Sequence, residues 1–167
     1  MVFNNLNYKK ICNFVEKNGK KSVKIIAISK NHPKKSVEEA INLGLRFFGE
    51  NRVQEAFLKF NDIKKLYRDL ELHLTGSLQK NKVKLALEIF DVFHTLDRES
   101  LAREFIKHFE STKTKKFFIQ INTGREISKG GVCLEEANDF IGLCKFDLKI
   151  PIYGLMCIPP IDANPSE

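Results

Sequence analysis

The run Ala27-Ile28-Ser29-Lys30 carries an apolar, β-branched segment straight into a primary amine. An amine where a buried strand opens into a site mouth has a specific use. Partial desolvation favours its neutral form, which is the nucleophile that condenses with an aldehyde to a Schiff base. The bland alternative is a surface lysine at a strand end. Other polar residues follow apolar segments in the same way: Glu50-Asn51 after Gly49, His73 and Thr75 before Gly76, His94 before Asp97, Gln120 and Asn122, and Met156-Cys157 before Ile158. Singly, each reads as a satisfied rim or core residue. As a set they put hydrogen-bonding groups on one rim, where a buried polar atom without a partner is costly and a ligand supplies the partner.

Other chemistries find little support. Cys12, Cys133, Cys144 and Cys157 have neither C-x-x-C spacing nor paired histidines, so they read as reduced core thiols, and no metal is expected. His32, His73, His94 and His108 lack i,i+4 metal spacing. Gly130-Gly131, without the spacing of a phosphate-binding loop, reads as a flexible loop feeding a helix. Glu50 stands as a lone rim carboxylate with no evident acid-base partner.

The elements that must position these residues follow from hydrophobic period. Tyr8, Ile11, Cys12 and Val15 mark an opening helix that Asn18-Gly19 ends with residues suited to a left-handed stop. Strand segments follow at Val23 to Ser29, Leu45 to Gly49, Leu70 to Thr75, Val92 to Leu96, Lys116 to Asn122 and Ile150 to Ile158. The first reads as buried on both faces, as strands of parallel sheets are. Helical stripes separate them. One opens on the capping box Ser36-Val37-Glu38-Glu39 and stops at Gly44; others are Val53-Ala56-Phe57-Phe60-Ile63, Asn81 to Phe90, Leu101-Ala102-Phe105-Phe109 and Leu134-Ala137-Ile141-Cys144. This alternation predicts an α/β fold with right-handed parallel crossovers. With no G-x-G-x-x-G after the first strand, a (β/α)8 TIM-type barrel is preferred over a doubly wound sheet. The barrel is truncated to about six strand-helix units preceded by an N-terminal helix, where closure needs eight strands.

The 167 residues, 43% apolar and 29% charged, suit one domain spanning residues 1–167. The charge of +7 comes from lysines scattered beside apolar stripes, which argues solvated helix faces over a nucleic-acid surface. The apolar runs are too short to span a bilayer and the start lacks a secretory pattern, so a cytoplasmic protein without a membrane segment is expected.

Taken in order, Ala27-Ile28-Ser29-Lys30, then Phe48-Gly49-Glu50-Asn51-Arg52-Val53-Gln54-Glu55, then His73-Leu74-Thr75-Gly76-Ser77-Leu78-Gln79-Lys80-Asn81-Lys82 closely resemble the pyridoxal phosphate homeostasis protein family. Further matches are His94-Thr95-Leu96-Asp97-Arg98, Ile119-Gln120-Ile121-Asn122, Lys129-Gly130-Gly131-Val132 and Gly154-Leu155-Met156-Cys157-Ile158-Pro159. The resemblance implies a barrel similar to the amino-terminal domain of alanine racemase. It implies a protein that holds pyridoxal 5′-phosphate (PLP) without an established reaction of its own and acts in vitamin B6 homeostasis, with apo PLP enzymes as candidate recipients. It assigns Lys30 as the Schiff-base lysine and Asn51, His73 and Met156 as cofactor-facing positions. Family members continue into two further strand-helix units that hold the cofactor phosphate, and this chain stops at Glu167. The phosphate-binding segment is therefore read as absent, and the open edges of strands one and six as sites for a complementing chain or self-association. A racemase-like PLP enzyme, or a split or non-functional fragment unable to retain PLP alone, are the alternative readings.

Overall fold

The computed structural model describes residues 3–19, 23–126 and 129–160. An N-terminal helix, α1 (Asn5–Asn18), leads into β1 (Ala27–Ile28), α2 (Lys34–Asn42), β2 (Phe47–Glu50), α3 (Val53–Leu66) and β3 (Glu71–Leu74). A 3-10 turn and α4 (Val83–Ile89) precede β4 (Val92–Leu96), and α5 (Glu99–Ile106) with α6 (Phe109–Thr112) precede β5 (Lys116–Ile121). Finally α7 (Ala137–Gly142) and a π-helical turn over Leu143–Asp147 lead to β6 (Ile152–Cys157).

The six strands form one sheet in the order β1-β2-β3-β4-β5-β6, and every neighbouring pair is parallel. A doubly wound sheet must reverse its strand order at a switch point. Here the order never reverses, which is how a barrel is wound. Among the described residues β1 and β6 each have one strand neighbour, so the sheet is an open arc. The outer face of the arc carries the core: Phe48, Leu72, Leu74, Phe93, Phe117 and Ile119 bury against helix residues such as Ala56, Phe60, Leu101 and Phe105. Two-residue alternation puts Phe47, Gly49, Glu71, His73, Phe118 and Gln120 on the inner face.

Several boundaries differ from the sequence reading. Asn18-Gly19 does not make a left-handed stop: Gly19 is extended, at φ −89°. Gly44 does adopt the left-handed region, at φ +94°. The capping box at Ser36 is not used, because Pro33 sets the extended entry to α2 one turn earlier and Ser36 is buried inside the helix. The stripe through Phe109 is two helices, α5 and α6, with a break at Lys107-His108. No residue of α1 is buried, and Ile11 of its expected core stripe is exposed. The first strand is not buried on both faces either. Regular pairing is confined to Ala27–Ile28, and Ile28 is 46% exposed because, among the described residues, β2 alone lies beside it.

Candidate functional site

Carboxyl ends of parallel strands gather at one rim, where ligands of such folds bind. Lys30 lies there, in the turn after β1, and is exposed. β1 is an edge of the described sheet, and the exposure of Lys30 is not the partial desolvation expected of it. The residue after it, Asn31, takes φ +62°, which turns the chain sharply toward α2.

Behind the rim, between the sheet and α3, sits a buried charged cluster. Glu50 is fully buried, and its Oε1 accepts from Ser29 Oγ at 2.7 Å and from Lys59 Nζ at 2.7 Å. Glu50 therefore has a partner that sequence spacing did not supply. Lys59, itself 7% exposed, also donates to Glu55 Oε1 at 3.2 Å. The signal was present. Lys59 falls on the buried stripe of α3 with Val53, Ala56, Phe60 and Ile63, and a lysine on such a stripe needs an anion.

Asn51 follows Glu50 and is half-buried, and its Oδ1 has no hydrogen-bond partner among the described residues. Its backbone packs on Gly76, where a Cβ would lie 2.7 Å from Asn51 Cβ and 2.8 Å from its Cα. Gly76→Ala is accordingly expected to cost about 1–3 kcal/mol by forcing the β2 and β3 ends apart, read as a lower urea midpoint at unchanged slope. An unchanged midpoint would mean the rim is looser than its packing implies.

His73 lies below the rim on the inner face, level with Gly49, and is buried. Its Nδ1 shares a hydrogen bond of 2.9 Å with His94 Nε2. Its Nε2 lies 3.2 Å from Glu71 Oε1, off the line a hydrogen bond requires. His94 stacks on Phe118 with ring centres 4.7 Å apart, and Glu71 also pairs with Lys116. Burial first, then the neighbouring His94, push the His73 imidazole down to about 4. Burial lowers His94 as well. Both rings are therefore neutral at pH 7.

Met156 is half-buried on β6, in register with Gln120 of β5. It shares a strand face with Gly154, whose Cβ position would point at the Phe118 ring 3.1 Å away, so it belongs to the inner face. Lys30 and Asn51 thus occupy adjacent strand ends, His73 the layer below and Met156 the other edge of the arc. No hydrogen bond or ion pair joins Lys30 to the other three.

The described residues flanking the loop after β5 are hydrogen-bonded to one another. Asn122 Nδ2 donates to Glu126 O at 2.9 Å, Glu126 N donates back to Asn122 Oδ1, and Val132 N donates to Gln120 O at 2.8 Å. Gly131, at φ +129°, lies where a side chain would strike Asn122 N at 2.7 Å, so glycine is required. Residues 127 and 128 lie outside the described residues. The cysteines are free thiols, but only Cys144 is a core residue; Cys133 and Cys157 are exposed.

Such a rim could hold an aldehyde cofactor: an amine open to solvent, an acceptor lacking a donor, and an inner face lined by Ile28, His73 and Met156. No protein-family model matches the chain. Curated relatives do. The pyridoxal phosphate homeostasis protein of Aquifex aeolicus is 39% identical over 153 residues, 89% of this chain and 65% of the relative. That of Buchnera aphidicola is 34% identical over 157 residues, 92% of this chain and 68% of the relative. The chain thus spans about two thirds of the length of the relatives it matches. Among solved structures, PipY of Synechococcus elongatus with PLP bound superposes with a TM-score of 0.79 at 33% identity, over 92% of this chain and 71% of that one. Alanine racemase of Clostridium difficile, at 14% identity and a TM-score of 0.69 over 96% of this chain and 42% of the racemase, shares the fold. Motifs, winding order and relatives agree: the chain belongs to the pyridoxal phosphate homeostasis protein family.

Proposed function

We propose that this chain, as a single barrel-type domain, binds pyridoxal 5′-phosphate through Lys30 and serves vitamin B6 homeostasis in the cytosol as a carrier rather than a catalyst. The observation that carries this reading is the exposed Lys30 at the carboxyl end of β1, next to the end of β2 where Asn51 Oδ1 is buried with no donor among the described residues. Lys30 would hold the cofactor through its aldehyde carbon, a condensation that would release one water without redox change. Asn51 offers a hydrogen-bond acceptor, and His73, neutral, gives a polar but uncharged floor. Met156 closes the other side as a soft apolar contact. Apo PLP enzymes are the recipients this reading implies.

Partners follow from the edges. Leu155, in register with the core residue Ile119, is 57% exposed on the outer face of β6, Tyr153 is 64% exposed on the same strand, and Ile28 is exposed at the β1 edge. Strand-helix units that complete the arc, from a complementing chain or a second copy, would cover these residues and add contacts to the cofactor phosphate. Among the described residues no helix is long and apolar enough to cross a membrane.

The test is titration with PLP. The expected result is a near-visible absorption band, absent in Lys30→Ala, with the borohydride-trapped pyridoxyl group on the Lys30 peptide. A band that survives in Lys30→Ala, or a tag mapped elsewhere, would overturn the assignment.

A further inference from the structure

The buried cluster behind the rim grips the chain on both sides of Lys30 without touching Lys30 itself. On the near side, Lys59 Nζ donates to Ser29 O at 2.7 Å, and Ser29 Oγ donates to Glu50 Oε1 at 2.7 Å. On the far side, Asn31 N donates to Glu55 Oε1 at 2.9 Å. Lys59 ties the two grips together, because it donates to both Glu50 and Glu55. Asn31 sits at φ +62°, a left-handed conformation that asparagine tolerates better than most residues other than glycine, though at some cost relative to ordinary backbone. The Asn31 amide, with burial opposing it, holds the Glu55 carboxyl below its ordinary range, so the acceptor is ionised at neutral pH.

We propose that Lys59, bracketed by Glu50 and Glu55, is a positioning residue: its clamp fixes the backbone on either side of Lys30 and so aims the Lys30 amine into the mouth of the arc. The inference rests on Lys30 being the anchor proposed above. Its physical basis is entropic. A lysine side chain has four rotatable bonds, and an unfixed backbone would spread its amine over many directions, so a rigid turn raises the fraction of orientations able to bond. The inner face is also the one that continues from Ile26 and Ile28, which pack where a Cβ on Gly49 would lie. Charge-assisted hydrogen bonds suit the task because they are short and directional.

Removing Lys59 leaves Glu50 buried without its cation and threatens the fold, so the test uses Glu55, which is partly exposed. Glu55→Ala removes the acceptor for Asn31, whereas Glu55→Gln retains a carbonyl oxygen that can accept the same amide. Two quantities are measured on each chain: hydrogen exchange of the Asn31 amide without cofactor, and the PLP concentration giving half-maximal borohydride-trapped label on the Lys30 peptide. Glu55→Ala is expected to speed Asn31 exchange and raise that concentration about tenfold, while Glu55→Gln stays within about twofold of the parent. Faster exchange with unchanged labelling of Lys30 would make the cluster a brace of the fold only, and unchanged exchange would remove the clamp altogether; either overturns the proposal alone. A parent chain that carries its pyridoxyl group on another lysine overturns the anchor and the clamp together.

Discussion

Lys59→Met is expected to lower the unfolding free energy by about 3–5 kcal/mol, because it strands a carboxylate in a medium that cannot solvate it. Glu50 is fully buried, and among the described residues one of its oxygens already lacks a partner and Lys59 is the cation paired with the other. The magnitude belongs to the broken pair and not to the intact one, since desolvation offsets much of the attraction while both charges are present. The double variant Glu50→Leu/Lys59→Met removes the stranded charge and is expected to recover most of the loss. Urea unfolding of the two single variants and the double closes the cycle. A Lys59→Met midpoint within error of the parent would mean that water reaches the cluster and the pair is not truly buried.

Acidification should destabilise the fold between pH 6.5 and 4, and His73 is the main cause. Its folded value is pushed down to about 4 against an ordinary 6.5, so in this window the unfolded chain takes up a proton that the folded chain refuses. Stability is therefore fully present above the unfolded value and falls as pH drops through the window, by about 3 kcal/mol at its acid end. The neighbours act in the same direction or moderate it. His94, lowered by burial, adds to the loss. Burial pushes Glu71 up, but its bond to Lys116 and the nearby cations outweigh this and hold it low, so its contribution also fades as pH falls through its folded value. Glu71 and Asp91 draw a proton toward His73 while Lys116 opposes it, and burial together with His94 outweighs both carboxylates. His73→Phe is expected to flatten the difference between urea midpoints at pH 8 and pH 5, although it lowers both by leaving His94 Nε2 without its partner. An equally steep pH dependence in His73→Phe would move the effect to the carboxylates.

The sequence was most legible where one local signal decides an element. β4 matches its reading at Val92–Leu96 because a β-branched and aromatic run lies between Asp91 and Asp97-Arg98, and no competing period exists there. The winding class was legible too, since strand-helix alternation leaves few topologies. Boundaries failed where tertiary context decides. Val23 to Ile26 have strand composition, yet β1 is short because a strand needs neighbours and this one has a single neighbour. Ser36 looked like a cap only while Pro33 was ignored. At the candidate site, Lys30 and Asn51 could be read as strand-end residues, but the partner of Glu50 could not. Nine residues separate Glu50 from Lys59, a spacing that belongs to no helix or strand rule and closes only when α3 folds back over β2. His73 and His94 were legible as polar residues near strand ends, whereas their position on the inner face and the hydrogen bond between them depend on a register between β3 and β4 that no single segment encodes.

The winding order also bears on how the molecule comes into being. Because each strand after the first hydrogen-bonds to the one made just before it, a chain leaving the ribosome can lay down its sheet one ribbon at a time, with each crossover helix sealing the last pairing before the next ribbon emerges. Synthesis and assembly then run in the same direction, and the Lys30 turn with its supporting cluster, contained between Ser29 and Lys59, draws only on the earliest-made elements of the sheet.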